Sequence, residues 1–138
     1  MKRHTDALVA LAETVPSIAV YVTLAENTDG SPVTAPYVVI HPSDGRDDAD
    51  RLSAPDTVQH PRFTVHSVGK TYQQAAWVGE HLKAVLIVGG VGVVPVVSGE
   101  SAGGFWYSSP QAIQVDTDAS PALIYHTSEC GFSSTPTA

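Results

Sequence analysis

The spacing of hydrophobic positions changes several times along the chain, and each change predicts a new element. Apolar residues between positions 8 and 15 recur at helical intervals, after a possible cap at Thr5 or Asp6 and before a proline. Residues 18–24 (IAVYVTL) and 37–40 (YVVI) are short apolar runs rich in β-branched side chains, which is typical of strands. The N-terminal part therefore predicts one helix followed by two strands.

The middle of the chain carries the strongest helical pattern. Residues 63–68 (FTVHSV) alternate as in a strand, with Phe63 and Val65 on one face. A capping box at residues 71–74 then begins a helix whose apolar stripe reaches Leu86, before Gly89-Gly90. Further strands are predicted in the Gly/Val-rich run that ends near Ser98, over residues 112–115 and over residues 123–126.

This order of elements predicts an α+β fold in which two α-helices pack on one face of a mostly antiparallel β-sheet. The 138 residues suffice for one ordinary domain, which we expect to span residues 1–132. We expect residues 133–138 to form a disordered tail. The polar segment 41–61, which is rich in aspartate and contains three prolines, is predicted to be a long loop.

Charge and composition exclude several classes of protein. Seven Lys and Arg against fourteen Asp and Glu give a net charge of −7, which argues against a nucleic-acid-binding protein. The single cysteine, Cys130, excludes an internal disulfide and a multi-thiolate zinc site. The longest apolar run, residues 84–97, is too short for a membrane span, and residues 7–12 are too short for a signal peptide. We therefore expect a protein made in the cytoplasm, with no membrane partner.

Residues 99–103 (GESAG) match the G-x-S-x-G pattern of serine hydrolases. Asp116 or Asp118 and then His126 follow Ser101 in the chain order of α/β-hydrolases. The context disagrees, because about 15 residues between Ser101 and the first aspartate leave no room for the helix and strands of that fold. A small serine esterase that uses Ser101 is kept only as a remote alternative to a flexible loop, and we predict no enzyme activity.

The remaining polar residues indicate contacts rather than chemistry. The six histidines are scattered, so no metal site is predicted, although His41 and His60 flank the acidic segment and could meet in a mixed His/Asp site. The acidic segment lacks the spacing of a calcium loop. Its alternatives are a solvated loop and a contact with an adjoining subunit. No catalytic or cofactor-binding residue is predicted, and the candidate interface residues are Asp44, Arg46, Asp47, Asp48, Asp50, Arg51, Trp106 and Tyr107.

Four stretches of the first 87 residues resemble the tail terminator (minor tail) proteins of siphophages from actinobacterial hosts. They are RHTDAL through Val15-Pro16, PYVVI with the following Asp-Gly segment, RFTVHSVG at residues 62–69 and TYQQAAWVGEHLKAVL at residues 71–86. The likeness covers roughly residues 3–87 and is strongest over residues 62–86.

The resemblance implies a small α+β subunit that assembles as a homo-oligomer, a hexameric ring, at the head-proximal end of the phage tail. Such a ring stops polymerisation of the tail tube and presents a surface to the head connector. Its partners would be the tail tube protein and a head-completion or connector protein, and DNA would pass through its lumen without sequence-specific binding. A tail-completion or head–tail joining protein of the neck is the alternative. Either protein would be part of the virion, after assembly in the host cytoplasm.

Overall fold

The computed structural model describes residues 2–31, 33–49, 57–118 and 122–137, and of residues 44–49 and 57 it describes the backbone alone. Two α-helices and ten strands follow one another in this part of the chain. In chain order they are α1 (Lys2–Ala12), β1 (Ala19–Val22), β2 (Tyr37–Ala49), β3 (Thr57–Gly69), α2 (Tyr72–Leu86), β4 (Ile87–Val88), β5 (Val91–Gly92), β6 (Glu100–Ala102), β7 (Trp106–Ser108), β8 (Gln114–Asp116), β9 (Leu123–Gly131) and β10 (Ser134–Pro136).

Eight of the described strands form one sheet. Strand β3 is central, since it pairs with β2 along one side and with β9 and β10 along the other. Strand β1 lies at one edge beside β2, whereas β6, β7 and β8 lie at the opposite edge. The β1–β2 pair is parallel and the other described pairs are antiparallel, which confirms the predicted mostly antiparallel sheet.

Both helices cover the same face of the sheet, as predicted. Strand residues at alternate positions, such as Val38 and Val65, are fully buried beneath Leu8 of α1 and Leu82 of α2. The aromatic rings of Phe63, Phe105 and Phe132 extend this core towards the β6–β10 side. The predicted alternation of residues 63–68 is confirmed. The α+β fold class therefore follows from one apolar stripe on each helix meeting one apolar face of the sheet.

The prediction of a long loop over residues 41–61 is wrong for the described residues. Strands β2 and β3 are 13 residues each and pair as far as Ala49 and Thr57. Between Ser43 and Arg46 the register shifts so that two residues of β2 face the single residue Pro61. A bulge of this kind tolerates a proline, which cannot donate to the ladder. The polar composition hid the strands because backbone pairing, rather than an apolar face, continues the hairpin here.

The two helices begin differently from one another. Helix α2 begins after Thr71, whose side chain accepts a hydrogen bond from the backbone N–H of Gln74, as the capping box predicts. The Gln74 side chain accepts from the N–H of Lys70 rather than from that of Thr71. For α1 the predicted cap at Thr5 or Asp6 is wrong, because the helix already includes Lys2 and Thr5 is buried within it.

The C-terminal half corrects two further predictions. Residues 134–136 were expected to be disordered, but they form β10, which is inserted between β3 and β6. The Gly/Val-rich run forms strand only at Val91–Gly92, which pairs with β4 across Gly89-Gly90. The φ angles of these two glycines, 60° and 79°, suit a two-residue hairpin turn. A Cβ on Gly92 would lie 2.0 Å from the carbonyl oxygen of Phe105, so two backbones approach closely at this glycine.

Candidate functional site

One face of the sheet carries no helix in the described part of the chain, and we call it the open face. Its residues alternate with the core residues along β1, β2, β3 and β9. Aromatic rings are frequent on it. The ring centroids of Tyr21 and Tyr37 lie 5.8 Å apart. The ring centroid of His66 lies 5.0 Å from that of His41 and 5.3 Å from that of Tyr125. Clustered aromatic side chains on an uncovered sheet are typical of a surface that contacts another molecule.

A cleft of about 530 Å³ lies on the open face. Its floor consists of apolar and aromatic side chains of the central strands, and the turn that follows β8 forms one wall. The backbone N–H of Asp118 donates to Oδ1 of Asp116 (3.0 Å), which holds this turn. The lining residues are Tyr37, Val39, His66, Val68, Val115, Asp116, Thr117, Asp118, Leu123 and Tyr125.

Two groups in the cleft titrate away from their ordinary ranges. Burial first, and then the negative charge of Asp116 and the neighbouring Tyr21, raise the pKa of Tyr37. Burial, together with the nearby imidazole of His41, lowers the pKa of His66. At neutral pH both groups are therefore uncharged, and the carboxylates of the turn dominate the charge of the cleft.

The candidate interface residues of the acidic segment occupy the far end of the β2–β3 hairpin. Asp44, Arg46, Asp47 and Asp48 belong to β2, where the backbone is described. Asp50 and Arg51 lie outside the described residues. The hairpin extends its backbone pairing to Ala49 and Thr57, well past Ile40, the last buried residue of β2 among those whose side chains are described. The acidic residues thus belong to a paired two-stranded extension of the sheet and not to a loop.

Trp106 and Tyr107 are strand residues of β7, not loop residues, and the alternation of that strand separates their side chains. Trp106 is 40% exposed, and the guanidinium of Arg62 lies 5.7 Å from its ring centroid. Tyr107 packs against the core, where the ammonium group of Lys83 lies 5.6 Å from its ring. The structure therefore does not bring the two aromatic residues into one patch, and of the two Trp106 offers the larger exposed surface.

The residues of the possible serine hydrolase are not brought together. Ser101 is the middle residue of β6 and pairs with Thr135 of β10, so it occupies a strand instead of a strand-to-helix turn. Asp116 lines the cleft of the open face. His126 faces α2, where a Cβ on Gly79 would lie 2.8 Å from its Nδ1 atom. The predicted alternative of a flexible loop at residues 99–103 is wrong as well, because Glu100–Ala102 is a paired strand.

His126 does have a serine partner, which the sequence pattern did not indicate. Its Nε2 atom lies 2.7 Å from Oγ of Ser109, in a shallow pocket beside α2 that Lys83 and Tyr107 also line. The Nδ1 atom is buried, and no described residue hydrogen-bonds to it, so the part of the chain that the structure describes supplies no carboxylate to orient the imidazole as in a catalytic triad. The Ser109 hydroxyl also donates to the carbonyl of Thr127 (3.4 Å). That arrangement is consistent with a proton on Nε2, which is the wrong tautomer for a general base.

The histidines do not form a metal site in the part of the chain that the structure describes. No group of three or more His, Cys, Asp or Glu residues there could hold a metal ion. The possible meeting of His41 and His60 is not observed: the neighbour of His41 is His66, and Nδ1 of His60 lies 3.0 Å from Oγ of Ser133. Within residues 2–31, 33–49, 57–118 and 122–137, no helix is long and apolar enough to cross a membrane.

A buried polar cluster at the start of α1 was missed by the sequence reasoning. The carboxylate of Glu100, 1% exposed, accepts hydrogen bonds from Nε2 of His4 (2.9 Å) and Oγ of Ser134 (2.9 Å). The guanidinium of Arg3 lies 3.3 Å from its other oxygen. Burial acts to raise the pKa of Glu100, but the bonds from His4 and Ser134 and the positive charges beside it hold it below its ordinary value. This cluster joins α1 to β6 and β10, so its role is structural.

No family model and no curated protein sequence matches this chain. Among solved structures, a chain of the virion of a native gene transfer agent particle matches with a TM-score of 0.50 and 17% identity. The match covers 94% of this chain and 84% of that chain. At this level of identity the likeness shows a shared fold.

Proposed function

We propose that this chain is a structural protein of a virion, and more specifically the tail terminator of a phage. In that role copies of the chain form a hexameric ring at the head-proximal end of the tail tube, stop its polymerisation and provide the surface to which the head attaches. The observation that carries the proposal is the fold that the chain shares, over 94% of its length, with a chain of a virion particle. The role needs neither a catalytic residue nor a cofactor.

The segment with the strongest resemblance to tail terminators supports the proposal. Residues 62–86 form most of β3 and the whole of α2, and these two elements pack on each other at the centre of the core. Val65 of the strand and Val78 of the helix are both fully buried. The resemblance therefore lies in the residues that determine how the helix sits on the sheet, which is the feature that a shared fold requires.

The shape of the subunit is compatible with a ring. The sheet has two different edges, β1 on one side and β6, β7 and β8 on the other. Contacts between unlike surfaces of identical subunits are heterologous, and they produce closed rings when the rotation closes. For the subunit contacts we propose the end of the β2–β3 hairpin, with Asp47 and Asp48, and the exposed side chain of Trp106.

The net charge is compatible with a channel for DNA. Each copy carries a net charge of −7. Where this charge faces the lumen of a ring, it repels the phosphates of passing DNA and prevents adhesion. The proposed partners outside the ring are the tail tube protein on one side and a head-completion or connector protein on the other.

Light scattering after size exclusion, with negative-stain images of every large species, tests the ring directly. We expect annular particles of six times 14.5 kDa, either in solution or after mixing with purified tail tubes. Tubes polymerised in the presence of the protein should stop growing and carry one particle at one end. A protein that stays monomeric, leaves tube growth unchanged and binds filled heads instead would contradict the terminator and support the head–tail joining alternative.

Charge-reversal variants locate the contacts. Asp47→Lys with Asp48→Lys should prevent ring formation, because both positions lie at the end of the proposed contact hairpin. The matched control, Glu13→Lys with Glu26→Lys, changes the net charge equally at exposed or half-exposed positions outside it. Rings that form equally well in both variants would remove the hairpin from the interface while leaving the terminator function standing.

A further inference from the structure

The cleft on the open face has a charge that its own lining residues do not balance. Asp116 and Asp118 lie in its wall, and among the described lining residues there is no lysine or arginine. His66 does not supply the missing positive charge at neutral pH, because burial keeps its imidazole neutral. The floor beneath these carboxylates is aromatic and aliphatic. The cleft thus combines an apolar base with a negatively charged wall.

A lysine or arginine side chain on an extended segment matches this combination. Its aliphatic stem packs on apolar surface while its charged head stays at the polar rim. A guanidinium also stacks on aromatic rings and forms paired hydrogen bonds with a carboxylate. Tyr37 and Tyr125 offer the rings, and Asp116 offers the carboxylate beside Tyr37. The pKa of Tyr37 is raised by burial and then by the charge of Asp116. The volume, about 530 Å³, holds several side chains of a docked segment.

Most of the cationic side chains that the structure describes already have a partner. Four of these five Lys and Arg side chains are engaged within the described residues. Lys2 pairs with an aspartate, Arg3 and Arg62 each pair with a glutamate, and Lys83 lies over a tyrosine ring. The complementary charge therefore fits a different, more basic protein better than a second copy of this chain.

We propose that this cleft is the docking site for an extended segment of another protein, which places a lysine or arginine side chain between the aromatic floor and the carboxylates of Asp116 and Asp118. This inference does not require that the chain be a tail terminator. It concerns one surface of the folded subunit, and a subunit that never forms a ring can be tested for it.

The test is a titration of the full-length, isotope-labelled protein followed by backbone amide NMR at low salt. The probe is the peptide acetyl-Leu-Arg-Leu-amide, and its matched control has citrulline, which is neutral and of similar shape, in place of arginine. We expect the arginine peptide to shift the amide signals around Val39, Val68 and Asp116. We expect the citrulline peptide to bind about fivefold to tenfold more weakly, as for the loss of two partly exposed ion pairs.

Two double variants separate the local charge from the net charge. Asp116→Asn with Asp118→Asn should reduce binding of the arginine peptide by the same factor, whereas Glu13→Gln with Glu80→Gln, which removes two carboxylates on the helix side, should leave it unchanged. Equal binding of the two peptides, or equal loss in the two double variants, would overturn the proposal. The proposal would also be overturned if the amide signals of the cleft did not shift at saturating peptide. It would be overturned as well if those signals shifted with protein concentration alone, because that result identifies a second copy of the chain as the occupant.

Discussion

Replacing Glu100 with alanine tests how α1 is held against the rest of the fold. The Glu100 carboxylate is 1% exposed and His4, which donates to it, is 4% exposed. Ser134 donates to the same oxygen, so the substitution leaves two buried donors without an acceptor. It also removes the carboxylate that faces the guanidinium of Arg3.

The lost contacts determine how far the free energy of unfolding should fall. A buried donor that loses its acceptor costs about 1–3 kcal/mol. Glu100→Ala leaves two such donors, so we expect it to lower the free energy of unfolding by about 3 to 4 kcal/mol. Glu100→Gln keeps an oxygen that accepts from His4 or Ser134 but loses the charge, so we expect it to cost about 2 kcal/mol.

Urea denaturation followed by far-UV circular dichroism measures both effects. The matched control is Glu129→Ala, which breaks a 2.9 Å ion pair with Arg62 whose two side chains are 55% and 32% exposed. We expect that control to cost less than about 1 kcal/mol, because exposed pairs contribute little. A cost below 1 kcal/mol for Glu100→Ala, or one equal to that of Glu129→Ala, would refute the reasoning.

The acid dependence gives a second readout of the same carboxylate. The pKa of Glu100 is lower in the folded protein than its ordinary value of 4.5. Its contribution is therefore fully present above pH 4.5 and is lost as the pH falls through the folded pKa. The stability difference between the wild type and Glu100→Gln should therefore narrow as the pH falls below 4.5.

Three further predictions use single buried positions. Gly79→Ala should destabilise the fold by about 1–3 kcal/mol, because its Cβ would lie 2.8 Å from the His126 ring. In a His126→Ala background the same change should stabilise the protein by up to about 1 kcal/mol, as at an ordinary helix position. If thermal melting shows that Gly79→Ala still destabilises the His126→Ala protein, the clash with His126 is not the cause. Ser67→Ala should raise the free energy of unfolding by about 1 kcal/mol in urea titrations, since the buried Ser67 hydroxyl has no hydrogen-bond partner among the described residues. A loss of that size would show that the hydroxyl is satisfied. Burial raises the pKa of the Cys130 thiol to about 12, so Ellman's reagent should modify it only in denaturant, and fast labelling of the native protein at pH 8 would disprove this.

Local signals predicted the elements whose contacts lie close together in sequence. The N-cap of α2 at Thr71 is such a case, because one hydroxyl and one amide three residues later form it. The alternation of Phe63 and Val65 with polar neighbours is another such local signal. Because side chains of a strand alternate between its two faces, this pattern places both residues on the buried face. The layered α+β arrangement then follows, because each apolar face must be covered.

Contacts between distant parts of the chain decided the rest. Backbone pairing with β3 holds the hairpin end near Asp47, so this segment needs no apolar alternation in its sequence. Strand β10 forms where Ser134 pairs with both β3 and β6. The sequence pattern placed Glu100 in a flexible serine motif. In the fold its carboxylate is buried against His4, which is 96 residues away.

The cleft likewise exists only in the folded chain, because the turn after β8 meets Tyr37 from β2 there. The sequence by itself determined which apolar side chains of β3 and α2 face the core, since that property belongs to each residue and its immediate period. The tertiary structure alone decided which polar groups meet, because the distances between them depend on how the whole sheet is ordered.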